Sequence, residues 1–73
     1  MPVLRRTLPP VNGLVVFEAA GRHLNFTRAS EELALTQSAV SHQIRQIEEH
    51  LGVTLFQRQG RGLKLTREGD RLH

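Results

Sequence analysis

Between residues 26 and 52 the hydrophobic positions follow the spacing of two helices joined by a short apolar corner. The second helix is the clearer one and is predicted to span Gln37 to Leu51, with Thr36 as its cap and Gly52 as its stop. Its apolar positions repeat every three or four residues and therefore lie within one narrow sector. They are Val40, Ile44, Ile47 and Leu51. This segment is thus predicted to bury one face and to expose the other.

Two shorter helices are predicted on the N-terminal side of this segment. The first runs from about Val11 or Asn12 to about His23, after Pro9 and Pro10, which suit a helix start. Its apolar side is predicted to consist of Leu14, Phe17 and Ala20.

The helix that follows is predicted to lie between a cap at Asn25 or Thr27 and an end near Leu33–Ala34. Leu35 is expected to fill the corner between this helix and the next. Ser30 lies inside the helix pair, so its hydroxyl is expected to need a backbone hydrogen-bond partner. The buried side of this helix is predicted to consist of Phe26, Ala29 and Leu33.

After Gly52 the pattern changes from helical spacing to short runs typical of β-strands. The two runs are Val53–Phe56 and Leu63–Thr66, and the segment Arg58–Gly62 between them supplies glycines for a hairpin turn. Thr66 can also cap a fourth helix that begins close to the end of the 73-residue sequence. We therefore expect a helix that continues past His73, as in a segment of a longer protein.

The order helix, helix, turn, helix, hairpin and helix start predicts a mainly α fold, the winged helix-turn-helix, with three helices and a short two-stranded wing. The expected organisation is a flexible N-terminal tail over residues 1–8, the winged helix-turn-helix over residues 9–65 and the helix start over residues 66–73. The wing is expected over residues 57–62. The predicted core consists of Phe17, Phe26, Leu33, Leu35, Val40, Ile44, Ile47, Leu51 and Leu55.

Composition excludes several functional classes. The chain has no cysteine, and its four histidines lack metal-like spacing, so no disulfide and no metal site are expected. The longest apolar run, Leu14–Phe17, is too short to cross a membrane. Ser41 and His42 are helix neighbours that point in different directions, so they cannot belong to one catalytic triad. We expect neither an enzyme nor a cofactor, and the net charge of +3 suggests an anionic partner.

The polar face of the third helix carries candidate base-reading groups. In a helix-turn-helix the first turns of the recognition helix reach base edges, whereas later turns leave the groove because it curves. Glutamine can pair with adenine, serine can donate or accept, and histidine or arginine favours guanine. Glu48 and Glu49 would repel phosphate, but they lie beyond these turns. The candidates for base contact are Gln37, Ser38, Ser41 and His42, with Arg45 beside them.

Other residues are candidates for contact with the DNA backbone or the minor groove. Thr27 and Arg28 begin the second helix and Thr36 precedes the third, where unpaired N–H groups and the helix dipole favour a phosphate. Simple helix capping explains both threonines equally well. Arg58 ends the first strand and is suited to a phosphate, and Arg61, between two glycines, is suited to a narrow minor groove. A solvated basic loop is the alternative explanation for this hairpin.

Two functional hypotheses of different classes therefore remain. The first is sequence-specific binding of double-stranded DNA, which is favoured by the helix pair together with the apolar corner and the basic hairpin. The second is a protein-interaction module, in which a small helical domain presents its basic face to an acidic partner.

Three segments resemble the N-terminal DNA-binding domain of the LysR-type transcriptional regulators. They are FTRASEEL, LTQSAVSHQIRQIEEHLG and LFQRQGRGLKLTREG, and the resemblance extends over about Leu8 to Leu72. The opening segment LPPVNGLVVFEAAGRHLNFTRAS is most similar to the branch of the family that contains the glycine-cleavage activators and the β-lactamase regulators.

This resemblance implies a bacterial activator or repressor that binds an imperfect palindromic operator in double-stranded DNA as a homodimer or tetramer. It makes residues 66–73 the start of a linker helix for dimerisation, which in the family leads to an effector-binding domain. A cytoplasmic, nucleoid-associated protein without membrane contact is expected.

The resemblance also implies roles for individual side chains. Gln37, Ser38, Ser41 and His42 match the base-reading positions of the family, and Arg61 matches the wing position that enters the minor groove. The positions that tend to face phosphates are matched by Thr27, Arg28, Thr36, Arg45 and Arg58.

Four departures from the family pattern stand out. Ser38 lies where many members have proline or alanine, and His42 lies where arginine is frequent, so the preferred DNA sequence is expected to differ. Ser30 replaces the usual alanine inside the helix pair. Gly13 and the segment Val15–Val16 replace a more polar first helix, which predicts a weaker helix or an apolar contact with the linker helix.

Overall fold

The computed structural model describes the backbone of residues 9–60 and 62–73 and the side chains of residues 13–60 and 62–73. The predicted mainly α winged helix-turn-helix is confirmed. The predictions for the tail at residues 1–8 and for Arg61 lie outside the described residues. The elements are α1 (Pro9–His23), α2 (Phe26–Leu33), α3 (Gln37–Leu51), β1 (Phe56–Gln59), β2 (Gly62–Leu65) and α4 (Arg67–Leu72).

The start of α1 and both ends of each strand differ from the predicted bounds, since β1 is Phe56–Gln59 and β2 is Gly62–Leu65. α1 begins at Pro9 rather than at Val11 or Asn12, because a proline in the first helical turn has no N–H group that needs a partner. β1 begins at Phe56 rather than at Val53, because the preceding backbone N–H groups are bonded to α3. β2 ends before Thr66, whose hydroxyl instead accepts a hydrogen bond from the Gly69 N–H and caps α4.

The ends of α2 and α3 are closed by side chains and by left-handed residues. Asn25 Oδ1 accepts a hydrogen bond from the Arg28 N–H at 2.9 Å and caps α2, and Thr36 Oγ1 accepts one from the Ala39 N–H at 3.0 Å and caps α3. Ala34 is the C-cap of α2 and Gly52 the C-cap of α3, both in the left-handed region with φ of 57° and 73°. The expected partner of the Ser30 hydroxyl is the Thr27 carbonyl, at 2.7 Å.

The core lies where α1 crosses α3 and where the wing meets the helices. The predicted core residues Phe17, Val40, Ile44, Ile47 and Leu55 are buried, whereas Phe26 and Leu33 are half-buried and pack against them. The ring of Phe56 meets the rings of Phe17 and Phe26 edge to face, with centroid distances of 5.6 and 5.4 Å. The core is completed by Val16, Ala19, Ala20, Ala29 and Phe56.

Two leucines of the predicted core, Leu35 and Leu51, are exposed, and so is Leu14 from the predicted apolar side of α1. Leu14 is 49% exposed, because the inner face of α1 is formed by Gly13, Val16, Phe17 and Ala20, which share one side of the helix. Leu51 is 45% exposed because α1 crosses α3 nearer to Ile47, where a Cβ on Gly13 would lie 3.3 Å from the Ile47 Cβ. Leu35 is 42% exposed, because backbone hydrogen bonds from Ala34 and Leu35 to α2 close the corner without its side chain.

The wing is an antiparallel pair of strands. Phe56 pairs with Leu65 and Gln59 with Gly62, and Gly60, which follows β1, has a φ of 59°. α4 packs tightly on the start of the wing, as shown by the close approach at Gly69, where a Cβ would collide with the Leu55 carbonyl.

Among the described residues, each helix is too short or too polar to span a membrane.

A charged cluster joins α1 to α2 on the surface. The guanidinium of Arg22 lies 2.8 Å from carboxylate oxygens of both Glu18 and Glu32, and His23 Nε2 lies 2.6 Å from Glu32. Arg22 and then His23 hold the pKa of Glu32 at about 2. The two carboxylates in turn raise the pKa of Arg22 above its ordinary value. We call these four residues the α1–α2 clasp.

We predict that Ile44→Ala will lower the free energy of unfolding by about 2–5 kcal/mol, because Ile44 is buried and its loss leaves a cavity in a small core. Chemical denaturation measures this change. Leu51→Ala is the matched control, since Leu51 lies on the same helix but is exposed, and it should cost much less. Equal losses for the two variants would contradict the core described above.

We also predict that Glu32→Gln will lower the melting temperature at neutral pH and that this difference will shrink in acid. The pKa of Glu32 is lowered from 4.5 to about 2 in the folded chain, so its ion pairs stabilise fully above about pH 4.5 and are lost as the pH falls through about 2. The effect should be modest because the cluster is exposed. Melting curves of both proteins over this pH range test the prediction.

The control is Glu31→Gln, which removes a neighbouring exposed carboxylate that forms no ion pair among the described residues. It should change the melting temperature little at any pH. A deficit of Glu32→Gln that stays constant down to pH 2 would contradict the role of the clasp.

Candidate nucleic-acid interface

The exposed face of α3 gathers five of the predicted contact residues. Their positions are separated by one, three or four residues, which places them on one side of the helix, opposite the buried residues Val40, Ile44 and Ile47. Four of the five side chains are exposed and Ser41 is half-buried. The residues that line this shallow concavity are Gln37, Ser38, Ser41, His42 and Arg45.

A second groove lies between the starts of α2 and α3 and the wing. It is lined by Thr27 from α2, Gln37 from α3 and Arg58 from β1, together with Asn25. Residues from three separate elements are therefore brought together next to the α3 face. Gln37 belongs to both surfaces, so the groove and the concavity are continuous.

A third groove connects the middle of α3 to the wing. Ser41 and Arg45 line it from α3, Arg58 lines it from β1, and Glu48 lies along the same side of the helix. Arg58 thus borders both the second and the third groove, between the wing and the helix face.

Two predicted backbone-contact residues stand apart from these surfaces. Arg28 and Thr36 are exposed, but neither lines the three grooves. The Thr36 hydroxyl accepts a hydrogen bond as a cap, yet it can still donate one. Arg61, the predicted minor-groove residue, lies outside the described residues.

The charge distribution favours an anion at these surfaces. Within the described part of the chain, every ion pair lies in the α1–α2 clasp. Arg45 and Arg58 are exposed and take part in none of these pairs. Their charges are therefore available to a ligand next to the polar face of α3.

Two residues near the interface have roles that the sequence pattern does not predict. Asn25, one of the two predicted candidates for the α2 cap, also lines the second groove. Glu48 lies beyond the predicted contact surface, and its carboxylate accepts hydrogen bonds from the backbone at the start of the wing. A sequence signal for Glu48 existed, because an acidic residue in the last turn of a helix opposes the helix dipole and needs another partner.

The described residues contain no group of three or more histidine, aspartate or glutamate side chains that could hold a metal ion. The side chains that line the three grooves offer hydrogen bonds and positive charge. Amide, hydroxyl, imidazole and guanidinium groups in one row are the groups with which proteins contact base edges and phosphates.

A winged fold with this exposed face on its third helix belongs to the class of helix-turn-helix proteins. The profile of the bacterial regulatory helix-turn-helix proteins of the lysR family matches residues 11–70. The chain belongs to this family. The resemblance noted in the sequence is thereby confirmed.

Two curated relatives show where in the family the chain lies. The glycine cleavage system transcriptional activator of Escherichia coli strain K12 is 59% identical over 66 residues, which cover 90% of this chain and 22% of that protein. The HTH-type transcriptional activator AmpR of Pseudomonas aeruginosa is 60% identical over 63 residues, which cover 86% of this chain and 21% of that protein. The chain therefore spans about one fifth of the length of these relatives.

A solved structure with the same fold contains DNA. The crystal structure of the BenM_DBD/benA site 1 DNA complex superposes with a TM-score of 0.78 at 36% identity, covering 84% of this chain and 68% of that one. Family and fold together identify this segment as the winged helix-turn-helix domain of the lysR family.

Proposed function

We propose that the chain binds double-stranded DNA in a sequence-specific manner, as part of a bacterial transcription regulator. In this proposal α3 enters the major groove, and the wing at residues 57–62 contacts the backbone and the minor groove. The observation that carries the proposal is the polar face of α3, whose five side chains line one concavity that continues into the groove beside Arg58.

The first half of α3 supplies the base contacts. Gln37 offers a donor and an acceptor that match adenine, and Ser38 and Ser41 offer hydroxyls. His42 presents its imidazole on the same face, where it can contact a guanine edge. Because α3 rises about 1.5 Å per residue, these four residues span roughly 8 Å of the helix, a length that fits the reach of its first turns into the groove.

Several groups around this face supply contacts to the backbone. Arg45 and Arg58 flank the third groove and carry charge that is not used in an ion pair within the described residues. Thr27 and Arg28 begin α2, and Thr36 caps α3, so phosphates can meet backbone N–H groups at both helix starts. For Arg61, the proposed role is the minor-groove contact that its match to the family's wing position implies. Phosphate contacts of this kind set affinity and position, whereas base contacts set specificity.

The regulator acts in this proposal as a homodimer or tetramer on an imperfect palindromic operator. One domain offers one recognition helix and therefore contacts one half-site, so a second copy is needed to engage both halves. Residues 66–73 begin the linker helix for dimerisation, and an effector-binding domain belongs to the full-length protein. This proposal makes the protein nucleoid-associated and without enzymatic activity. The relatives, which are named as transcriptional activators, support it.

We predict that Gln37→Ala will weaken binding to the preferred operator by about 1–3 kcal/mol and will relax the preference at one base position, because it removes a bidentate base contact. Binding to a set of duplexes with single base changes measures both effects. Gln46→Ala is the matched control, since Gln46 is exposed on α3 but does not line the concavity. Equal weakening on every sequence would contradict a base-reading role.

We predict that Arg58→Ala will weaken binding to all sequences alike and will flatten the dependence of affinity on salt. Each phosphate contact contributes about −0.9 to the slope of log affinity against log salt, so the slope should become shallower by about that amount. Titrations of specific and unrelated duplexes at several salt concentrations measure it. Arg71→Ala, an exposed arginine on α4 outside the three grooves, controls for the loss of one charge.

The same titrations separate DNA binding from the alternative, a protein-interaction module with an acidic partner. The wild-type chain should be measured both alone and fused to a dimerising coiled coil. No binding of either form at low salt would refute the DNA proposal, and an unchanged slope for Arg58→Ala would refute its phosphate contact.

A further inference from the structure

Glu48, near the end of α3, holds the loop that leads into the wing. Its carboxylate oxygen Oε2 accepts hydrogen bonds from the N–H groups of Leu55 at 2.8 Å and Phe56 at 3.3 Å. Its backbone carbonyl accepts two more, from Gly52 at 2.8 Å and Val53 at 3.2 Å. One residue of the recognition helix therefore receives four of the N–H groups between residues 52 and 56.

These bonds satisfy groups that would otherwise lack partners. Leu55 is fully buried and Phe56 nearly so, and a buried backbone N–H without a partner is costly. The carboxylate gains as well, because the negative end of the α3 dipole disfavours an acidic side chain in the last turn. The contact is therefore favourable for both sides, and no other described side chain bonds these two N–H groups.

The position of Glu48 connects this loop to the DNA-facing side of α3. Ser41, Arg45 and Glu48 are spaced by four and three residues, so they lie on one side of the helix, and all three line the groove that Arg58 borders from the wing. Arg58 follows Phe56 by two residues and pairs with Leu63 in the strand register. The carboxylate thus fixes the backbone two residues before Arg58 to the helix that carries the base-contact face.

We propose that Glu48 is a positioning residue, which holds the wing at a fixed distance and angle to α3 so that helix and wing engage one DNA duplex together. This inference rests on the proposed function. In this role Glu48 does not need to contact DNA. The role also accounts for an acidic side chain at the edge of a surface that is proposed to bind phosphates.

A double-mutant cycle tests the proposal by combining Glu48→Ala with Arg58→Ala in DNA-binding titrations of the chain. If Glu48 positions the wing, Arg58→Ala should cost much less affinity in the Glu48→Ala background, with a coupling of about fivefold or more. Glu49→Ala is the matched control, since Glu49 is the next residue, carries the same charge and is exposed. In the Glu49→Ala background the effect of Arg58→Ala should be unchanged.

Two further substitutions test separately the charge of the Glu48 side chain and its length. Glu48→Gln keeps an acceptor oxygen at the same distance, so Arg58→Ala should cost nearly as much affinity in this background as in wild type. Glu48→Asp keeps the charge but is one methylene shorter, so the cost of Arg58→Ala should fall as it does in the Glu48→Ala background. If Glu48→Ala does not fold, the cycle with Glu48→Asp decides the question. The proposal is overturned if Arg58→Ala costs as much affinity in the Glu48→Ala or Glu48→Asp background as in wild type.

Hydrogen exchange measured in the absence of DNA tests the hydrogen bonds of Glu48 independently of the proposed function. The amides of Leu55 and Phe56 should exchange faster in Glu48→Ala or Glu48→Asp than in wild type, and unchanged exchange would overturn the role of the carboxylate. If the exchange behaves as expected but the wild-type chain does not bind DNA, the proposed function fails, and with it the role of Glu48 in DNA engagement. Faster exchange together with the expected coupling supports both.

Discussion

The contacts of the Phe56 ring are the interaction on which the rest of the structure depends. Phe56 begins β1 and meets Phe17 of α1 and Phe26 of α2 edge to face, so one side chain joins the wing to two helices. A chain of 73 residues has room for only a small core. A hairpin without contacts to a core is marginally stable in water. The wing gains a defined position because its first residue belongs to the helical core, against which Leu63 and Leu65 also pack.

Different polar side chains serve the stability of the fold and the proposed recognition of DNA. Caps at Asn25, Thr36 and Thr66 close the helix starts, and the α1–α2 clasp uses Glu18, Arg22, His23 and Glu32 on a surface outside the three grooves. The core packs against one side of α3, so the side chains on the other side are not needed for core packing. Under the proposed function, the face with Gln37, Ser38, Ser41 and His42 is free to vary with the preferred DNA sequence while the fold stays the same. Membership of the lysR family fits this division, because family members share the fold and differ in what they regulate.

Glu48 shows that the two parts of the proposed interface are not independent. Its carboxylate connects the end of α3 to the backbone that leads to Arg58. A helix and a hairpin placed separately could each contact DNA, but both can do so at once only if their relative position is held. The backbone bonds of Glu48 and the ring contacts of Phe56 act at the same short segment and therefore support one geometry.

Local signals in the sequence were enough to predict the order of the elements, the bounds and cap of α3, the end of α2 and the family, because helical spacing, capping residues and turn glycines act locally; the choice between Asn25 and Thr27 as the cap of α2 came from the structure. It also placed the candidate contact residues of α3 on one face, since that follows from helical periodicity alone. The roles of those residues in DNA contact are still predictions. Only the tertiary structure decided that Leu14, Leu35 and Leu51 are exposed, because burial depends on where α1 crosses α3 and on how the corner is closed. Only the tertiary structure brought Thr27, Gln37 and Arg58 into one groove and joined Glu48 to the wing, since these contacts connect elements whose relative position no local pattern specifies.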